Sequence, residues 1–242
     1  MAKGILTGRR VSEEVVRSIE QPDFTKSWHP YSHRIVLDVL EASVEQENLA
    51  VGEKRYSLSG NGSNMFGVWD ITNIKTEEVR LVIGFRNSVS KQLSWAIGGG
   101  LDVFVCENLI FRAKLTEFRR HTASFSDEAM IIMARRIIRR VVERDFNELV
   151  NWQNDLRQYP LSEAQSAVLM MRALKEDTIP TQKLYQLIHL YEKSERYNKT
   201  LHGFHGAFTE IAKEDSFFIN EWRNQRIAKL IDRAILEFYD TN

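Results

Sequence analysis

The chain has 242 residues, 43% apolar and 27% charged, enough for one large domain or two small ones with a real core. Its 33 basic residues balance 33 acidic ones, so no global field draws it onto nucleic acid or an anionic membrane, and any such binding has to be local. No apolar run approaches the roughly 20 residues of a membrane span. Cys106 is the only cysteine and Met1-Ala2-Lys3-Gly4-Ile5-Leu6 does not read as a secretory signal. A cytoplasmic protein without disulfides or a cysteine-rich zinc site is expected.

Residues 1–31 carry little periodicity beyond a short amphipathic turn at Val11 to Ile19 and read as an N-terminal arm. From Ser32, a suitable N-cap, the apolar positions Ile35, Val36, Val39, Leu40 and Val44 recur at helical spacing and predict the first helix. Tyr56 to Ser59, Gly60-Asn61-Gly62 and Met65 to Ile71 predict a hairpin, because Asn-Gly supplies the positive φ that a tight turn needs. Val79 to Phe85 reads as a third strand. Gln92 to Ile97 and Leu101 to Phe111 read as two more, separated by Gly98-Gly99-Gly100. The triplet lacks the Lys-Ser or Lys-Thr of a phosphate loop and reads as a turn or bulge. On this reading Leu101 to Phe111 is a buried strand that delivers Glu107 and Asn108 near its exit.

Beyond Ser126 the pattern turns helical. Met130, Ile131, Ala134, Ile137, Ile138, Val141, Val142 and Leu149 form one apolar stripe on a helix reaching Gln158, roughly 48 Å long at 1.5 Å per residue. Pro160 ends it. Ser162 and Gln165 make a capping box ahead of Ala167 to Leu174, and another helix starts near Thr181 with Leu184, Leu187, Ile188 and Tyr191 inward. Further helices are expected over Gly206 to Lys213 and Ile219 to Phe238. The fold class is α+β: an N-terminal helix and an antiparallel sheet of four or five strands packed on a long amphipathic helix, then a helical C-terminal region. Residues 32–125 and 126–242 are expected to form one continuous domain.

Arg86-Asn87-Ser88-Val89-Ser90-Lys91, Val103-Phe104-Val105-Cys106-Glu107-Asn108-Leu109 and His121-Thr122 together resemble the phage- and plasmid-encoded family known as domain of unknown function 932. Pro30-Tyr31-Ser32-His33 resembles the family's entry to its first helix, and Phe204-His205-Gly206-Ala207-Phe208-Thr209-Glu210 its C-terminal signature. The likeness spans about Pro30 to Asp240. Val89 stands where the family commonly has histidine, Glu107 where aspartate is usual, and His205 where asparagine is usual. The resemblance implies a mobile-element origin and no particular catalysis. The order helix, hairpin, strands, long helix is also that of phage single-strand annealing recombinases, an analogy of fold alone.

The clearest candidate site is a strip of arginines. Spacing of i, i+4 puts Arg136, Arg140 and Arg144 in one row with Arg135 and Arg139 beside it, opposite the apolar stripe. Such a strip can grip phosphates, or it can be a solvated face tied by ion pairs to neighbouring helices. Arg112, Lys114, Arg119, Arg120 and His121 follow the cysteine-bearing strand and, with Phe118, could extend it into a groove for charge and stacking. Arg86, Asn87, Ser88 and Lys91 either read a ligand or build a turn. Glu107 and Asn108 pose the same choice. Cys106 with His121 offers a nucleophile and base, but a free cysteine on an apolar strand is ordinarily a small buried hydrophobe. His202, His205 and Glu210 are metal-ligand types without a third close histidine. His29 and His33 have the helical spacing of a metal pair, but they straddle Pro30, which interrupts a helix, and read as surface histidines.

No complete catalytic or metal motif stands out and no cofactor is expected. The expectation is a non-enzymatic phage or plasmid protein that binds nucleic acid, single-stranded DNA above all, in recombination or replication, with homo-oligomerisation compatible. The alternative is an inhibitor of a bacterial defence or host complex acting by protein–protein contact.

Overall fold

The computed structural model describes residues 8–23, 25–26, 28–90, 92–103, 108–119, 126–211 and 217–239. The chain opens with β1 (Arg9–Val11) and the short helix α1 (Glu13–Arg17), followed by α2 (His33–Gln46). Then come β2 (Val51–Ser59), β3 (Asn64–Lys75), β4 (Val79–Ser88), β5 (Trp95–Val103) and β6 (Asn108–Arg119). Each strand pairs antiparallel with the next in the order β1-β2-β3-β4-β5-β6, an antiparallel meander of five long strands with short β1 on its edge.

Residues 9–17 belong to the fold and are not a free arm. Arg9, Arg10 and Val11 pair with Leu58, Ser57 and Tyr56, and Val16 is fully buried. A three-residue strand is too short to show an alternation in sequence. The first helix is capped as expected, Ser32 Oγ accepting from Ile35 N at 3.1 Å. The hairpin also forms, with Gly60, Asn61 and Gly62 at φ of +59°, +55° and +90°. Glycine and asparagine tolerate that region at least cost.

Gly98-Gly99-Gly100 lies inside β5 and does not separate two strands. A Cβ at Gly99 would stand 2.4 Å from Val141 Cγ1, so the missing side chain is what lets the long helix close on the sheet. Gly98 faces Thr116 while Gly100 faces Phe111, which places the extra residues in β6. The Leu101 to Phe111 run is likewise not one strand: β5 ends at Val103, which pairs antiparallel with Asn108 at the start of β6. Phe104-Val105-Cys106-Glu107, which lie outside the described residues, contain no glycine or proline to mark a strand end in the sequence.

The spine helix comprises α3 (Asp127–Arg140), a π-helical turn at Val141–Asp145, α4 (Phe146–Asp155) and a 3-10 turn at Leu156–Gln158. Its N-terminus is capped by Ser126, whose Oγ accepts from Ala129 N at 3.3 Å. Beyond it lie α5 (Glu163–Lys175), α6 (Thr181–Ile188) continued by a π turn at His189–Lys193, α7 (Leu201–Ile211) and α8 (Phe217–Phe238). The Ser162–Gln165 capping box is present. Helix α7 begins ahead of Gly206 because its glycines serve packing: a Cβ at Gly203 would meet the Asn198 carbonyl oxygen at 2.0 Å.

One core joins α2, α3 and the inner face of the sheet through residues such as Leu40, Trp69, Phe85, Trp95, Met130 and Ile137. The outer face is buried as well at Val68, Asp70, Val82 and Ala96, with α8 lying against β6 and β3. Burial on both faces explains why β3 reads as a nearly continuous apolar run rather than an alternating one. A second core gathers α5 to α8 around Leu169, Tyr191, Phe204, Phe208 and Ile231, and Trp152 of α4 packs against both. No helix among the described residues is long and apolar enough to cross a membrane.

Candidate functional site

The arginines of the spine helix turn outward, as their spacing demands, but carboxylates meet most of them. Glu47, at the C-terminal end of α2, receives Arg139 through two bonds, Nε to Oε2 at 3.2 Å and Nη2 to Oε1 at 2.8 Å. Arg135 Nη2 stands 3.6 Å from the same carboxylate. A carboxylate at the negative end of a helix is otherwise unfavourable, and the paired guanidinium groups offset it. In turn the Glu47 bond holds the Arg139 guanidinium above its usual range.

The row expected from an uninterrupted helix breaks between Arg140 and Arg144. The π turn lengthens the local repeat, so residues five apart come onto one face, and Arg140 Nε donates to Asp145 Oδ2 at 3.0 Å. Arg144 is displaced from the row and donates to Glu148 at 2.7 Å. Arg136 remains exposed beside Ile132, which is 69% exposed. Arg112, Lys114 and Arg119 lie on β6 as backbone positions, with side chains outside the described set. Arg120, His121, Lys91, Cys106 and Glu107 also lie outside the described residues, and Asn108 is placed only as the start of β6.

The segments Pro30-Tyr31-Ser32-His33 and Arg86-Asn87-Ser88 meet in space. His33 is fully buried and not a surface group. Its Nε2 donates to the Gly62 carbonyl at 2.9 Å, leaving Nδ1 to accept from Asn87 Nδ2 at 3.0 Å. The same Asn87 amide donates to the Tyr31 carbonyl at 2.9 Å. Burial pulls the His33 imidazole down to about 4, against the opposing Gly62 bond. Arg86 is half-buried on β4. On the opposite face of the strand Ser88 Oγ donates to Asn64 Oδ1 at 2.7 Å and accepts from Ser90 N at 3.1 Å.

His202, His205 and Glu210 do not converge. His205 is buried edge-on against Trp152, with ring centroids 5.3 Å apart. Glu210 accepts from Arg196 at 2.8 Å and from the Tyr197 hydroxyl at 2.5 Å. His202 is held below its ordinary range by burial and then by nearby Arg157. Among the described residues no three potential ligands gather to hold a metal ion.

Two groupings escaped the sequence reading. The first crosses the outer face of the sheet, where Arg55, Asp70, Arg80 and Asp102 stand on successive strands from β2 to β5. Asp70 Oδ1 accepts from Arg55 Nη2 at 2.5 Å, and Arg80 Nη2 lies 3.1 Å from Asp70 Oδ2 and 2.8 Å from Asp102 Oδ2. Burial pushes the Asp70 carboxyl up, opposed by Arg55 and Arg80. The signal was present in Val68-Trp69-Asp70-Ile71, since a carboxylate within an apolar strand requires a partner. The second is a cleft of about 290 Å³ between the β3–β4 turn and α4, lined by Thr76, Glu77, Glu78, Val79, Val150, Gln153, Asn154 and Arg157. Its residues lie far apart in sequence and share no motif.

No family model, curated protein or solved structure matches this chain. The resemblance to domain of unknown function 932 therefore rests on the quoted motifs alone.

Proposed function

We propose that the chain is a non-enzymatic, cytoplasmic protein of a phage or plasmid that binds nucleic acid, single-stranded DNA in the first instance, through the outward arginines of the spine helix. The supporting observation is their exposure: the side chains of Arg139 and Arg144 are 55% and 71% exposed, on the side of the helix turned from the core. Glu47 and Glu148 already hold these groups, so phosphates must share or displace a carboxylate. Fewer counterions are then released per contact than a bare arginine row would give, and the salt dependence is correspondingly shallow.

The test is binding to labelled single-stranded and duplex DNA and RNA at about 50 and 200 mM salt, with a triple variant Arg136→Ala, Arg139→Ala and Arg144→Ala alongside. Salt-sensitive binding that drops about tenfold or more in the variant is the expected outcome. Arg140 is left intact because its removal would strand buried Asp145. Absence of binding to every form at the lower salt overturns the reading. That result would favour the second reading, an inhibitor of a bacterial defence or host complex that binds by surface contact. It is supported by the neutralised arginines and by exposed apolar side chains of the helical part, Met171 at 48%, Tyr185 at 70% and Leu236 at 61%.

A further inference from the structure

Helix α5 is apolar on two sides, and the chain covers only one of them. Ser166, Leu169, Met170 and Ala173 are buried, the last three in the second core. On the opposite side Ala164, Ala167, Val168 and Met171 stand exposed, Val168 at 41% and Met171 at 48%. Spacings of three and four put these four side chains in one row along the helix. A helix packed on one side ordinarily turns polar residues to solvent on the other, so an apolar row there calls for a partner. Charges stand at its two ends: Glu163 beside its start and Lys175 one turn beyond Met171, both exposed. The charged groups on the α8 side of the helix are already taken, Arg172 by Glu237 at 2.6 Å and Glu176 by Arg233 at 2.7 Å. Among the described residues Glu163 and Lys175 have no ion-pair partner.

We propose that this row joins two copies of the chain in an antiparallel α5–α5 pair about a two-fold axis between Ala167 and Val168. The row is complementary to its own reverse. Turning one copy end for end sets Met171 over Ala164 and Val168 over Ala167 of the other, so each large side chain meets a small one. The same reversal brings Lys175 to within about 5 Å, measured along the axis, of the level of Glu163 in the other copy, inside the reach of a lysine. It also opposes the two helix dipoles. A parallel pair would stack Met171 on Met171, leave the alanines facing a gap and set like charges together at both ends. The formal net charge of zero puts no long-range repulsion between the copies. Two helices of 13 residues bury less than the roughly 1,200 Å² at which stable complexes begin, so the dimer is reversible and forms at high micromolar concentration. The inference uses an element apart from the arginine strip and is independent of the nucleic-acid reading.

The test is sedimentation equilibrium of the intact protein from about 5 to 500 µM. Met171→Glu places a charge in the row at an exposed position that the fold tolerates, and thermal denaturation checks that it does. Lys175→Glu alone sets like charges together at both ends of the pair, and Glu163→Lys added to it restores opposite ones. The expected result is a monomer–dimer equilibrium for the parent and a monomer throughout for Met171→Glu. Association about fivefold weaker is expected for Lys175→Glu, with recovery in the double variant. A parent that stays monomeric at the top of the range overturns the proposal and leaves the face to a partner of different sequence. Association unchanged by Met171→Glu, or a double variant no stronger than Lys175→Glu alone, overturns it as well, because the contact then lies elsewhere or runs parallel.

Discussion

His33 shows what burial does to a single titratable side chain. Its ring ties the entry of α2 to the hairpin turn and to the end of β4, and both ring nitrogens are engaged only in the neutral tautomer. A second proton on Nδ1 would set a donor against the donating Asn87 amide. The folded imidazole titrates at about 4 against an ordinary value of 6.5, so the unfolded chain takes up the proton first. Stability contributed by this group is complete above pH 6.5 and is lost as the pH falls toward 4, by about 3 kcal/mol in all. Urea unfolding of the protein and of His33→Gln across that range should show the wild-type midpoint falling more steeply, and parallel curves would refute the assignment. The histidine was visible in the sequence, but its burial was not. Pro30 argued only against a metal pair with His29, and nothing local announced that Asn87, far along the chain, would reach it.

At the level of elements, helix periodicity was the most legible feature. The caps at Ser32 and Ser162, the apolar stripe from Met130 onward and the Asn-Gly hairpin all rest on local rules that the folded chain obeys. What local rules did not give was the role of the glycines. In sequence Gly98-Gly99-Gly100 looks like punctuation, because the packing partner that requires its bare backbone is Val141, on a different element. Gly99→Ala should cost about 1–3 kcal/mol in thermal denaturation, as overpacking does, and Val141→Ala in the same chain should restore part of it. Failure of the second change to help would mean that the glycine answers to strand geometry instead. The candidate arginine strip was legible as a composition but not as an electrostatic surface. Glu47 reaches it from α2, and Asp145 reaches Arg140 across a spacing that a regular α-helix would keep apart.

The whole molecule is organised by the spine helix, which leaves one core and enters another. Trp152 sits at that passage, with partly buried packing on both sides, its Nε1 donating to Asp232 of α8 at 3.1 Å and its ring against His205. Replacing it with alanine should cost about 3–5 kcal/mol and uncouple the two halves. Hydrogen exchange would then show the amides of α5 to α8 opening before those of β2 to β5, where the parent protein opens both together. Identical protection patterns in the two proteins would show that the cores are coupled elsewhere. The α+β architecture, the long helix and the helical C-terminal region follow from sequence because each is dictated by period and composition. The joint between the cores does not, since it depends on which side of the helix faces which layer.

That facing is governed by the π turn of the spine helix at Val141–Asp145. An α-helix advances about 100° per residue, so one surplus residue re-aims everything downstream by that angle relative to an unbroken helix. Upstream, Met130, Ala134 and Ile137 meet the sheet; downstream, Phe146 and Leu149 stay in that same core, and only from Trp152 and Leu156 onward does the helix reach the second. Deleting one residue from this turn would leave a better-formed helix and a worse protein, with Gln153 and Leu156 swung out of their sites. The irregular turn thus acts as a phase setting for the molecule, and the chain length across residues 141–145 is constrained more tightly than the identity of its exposed side chains.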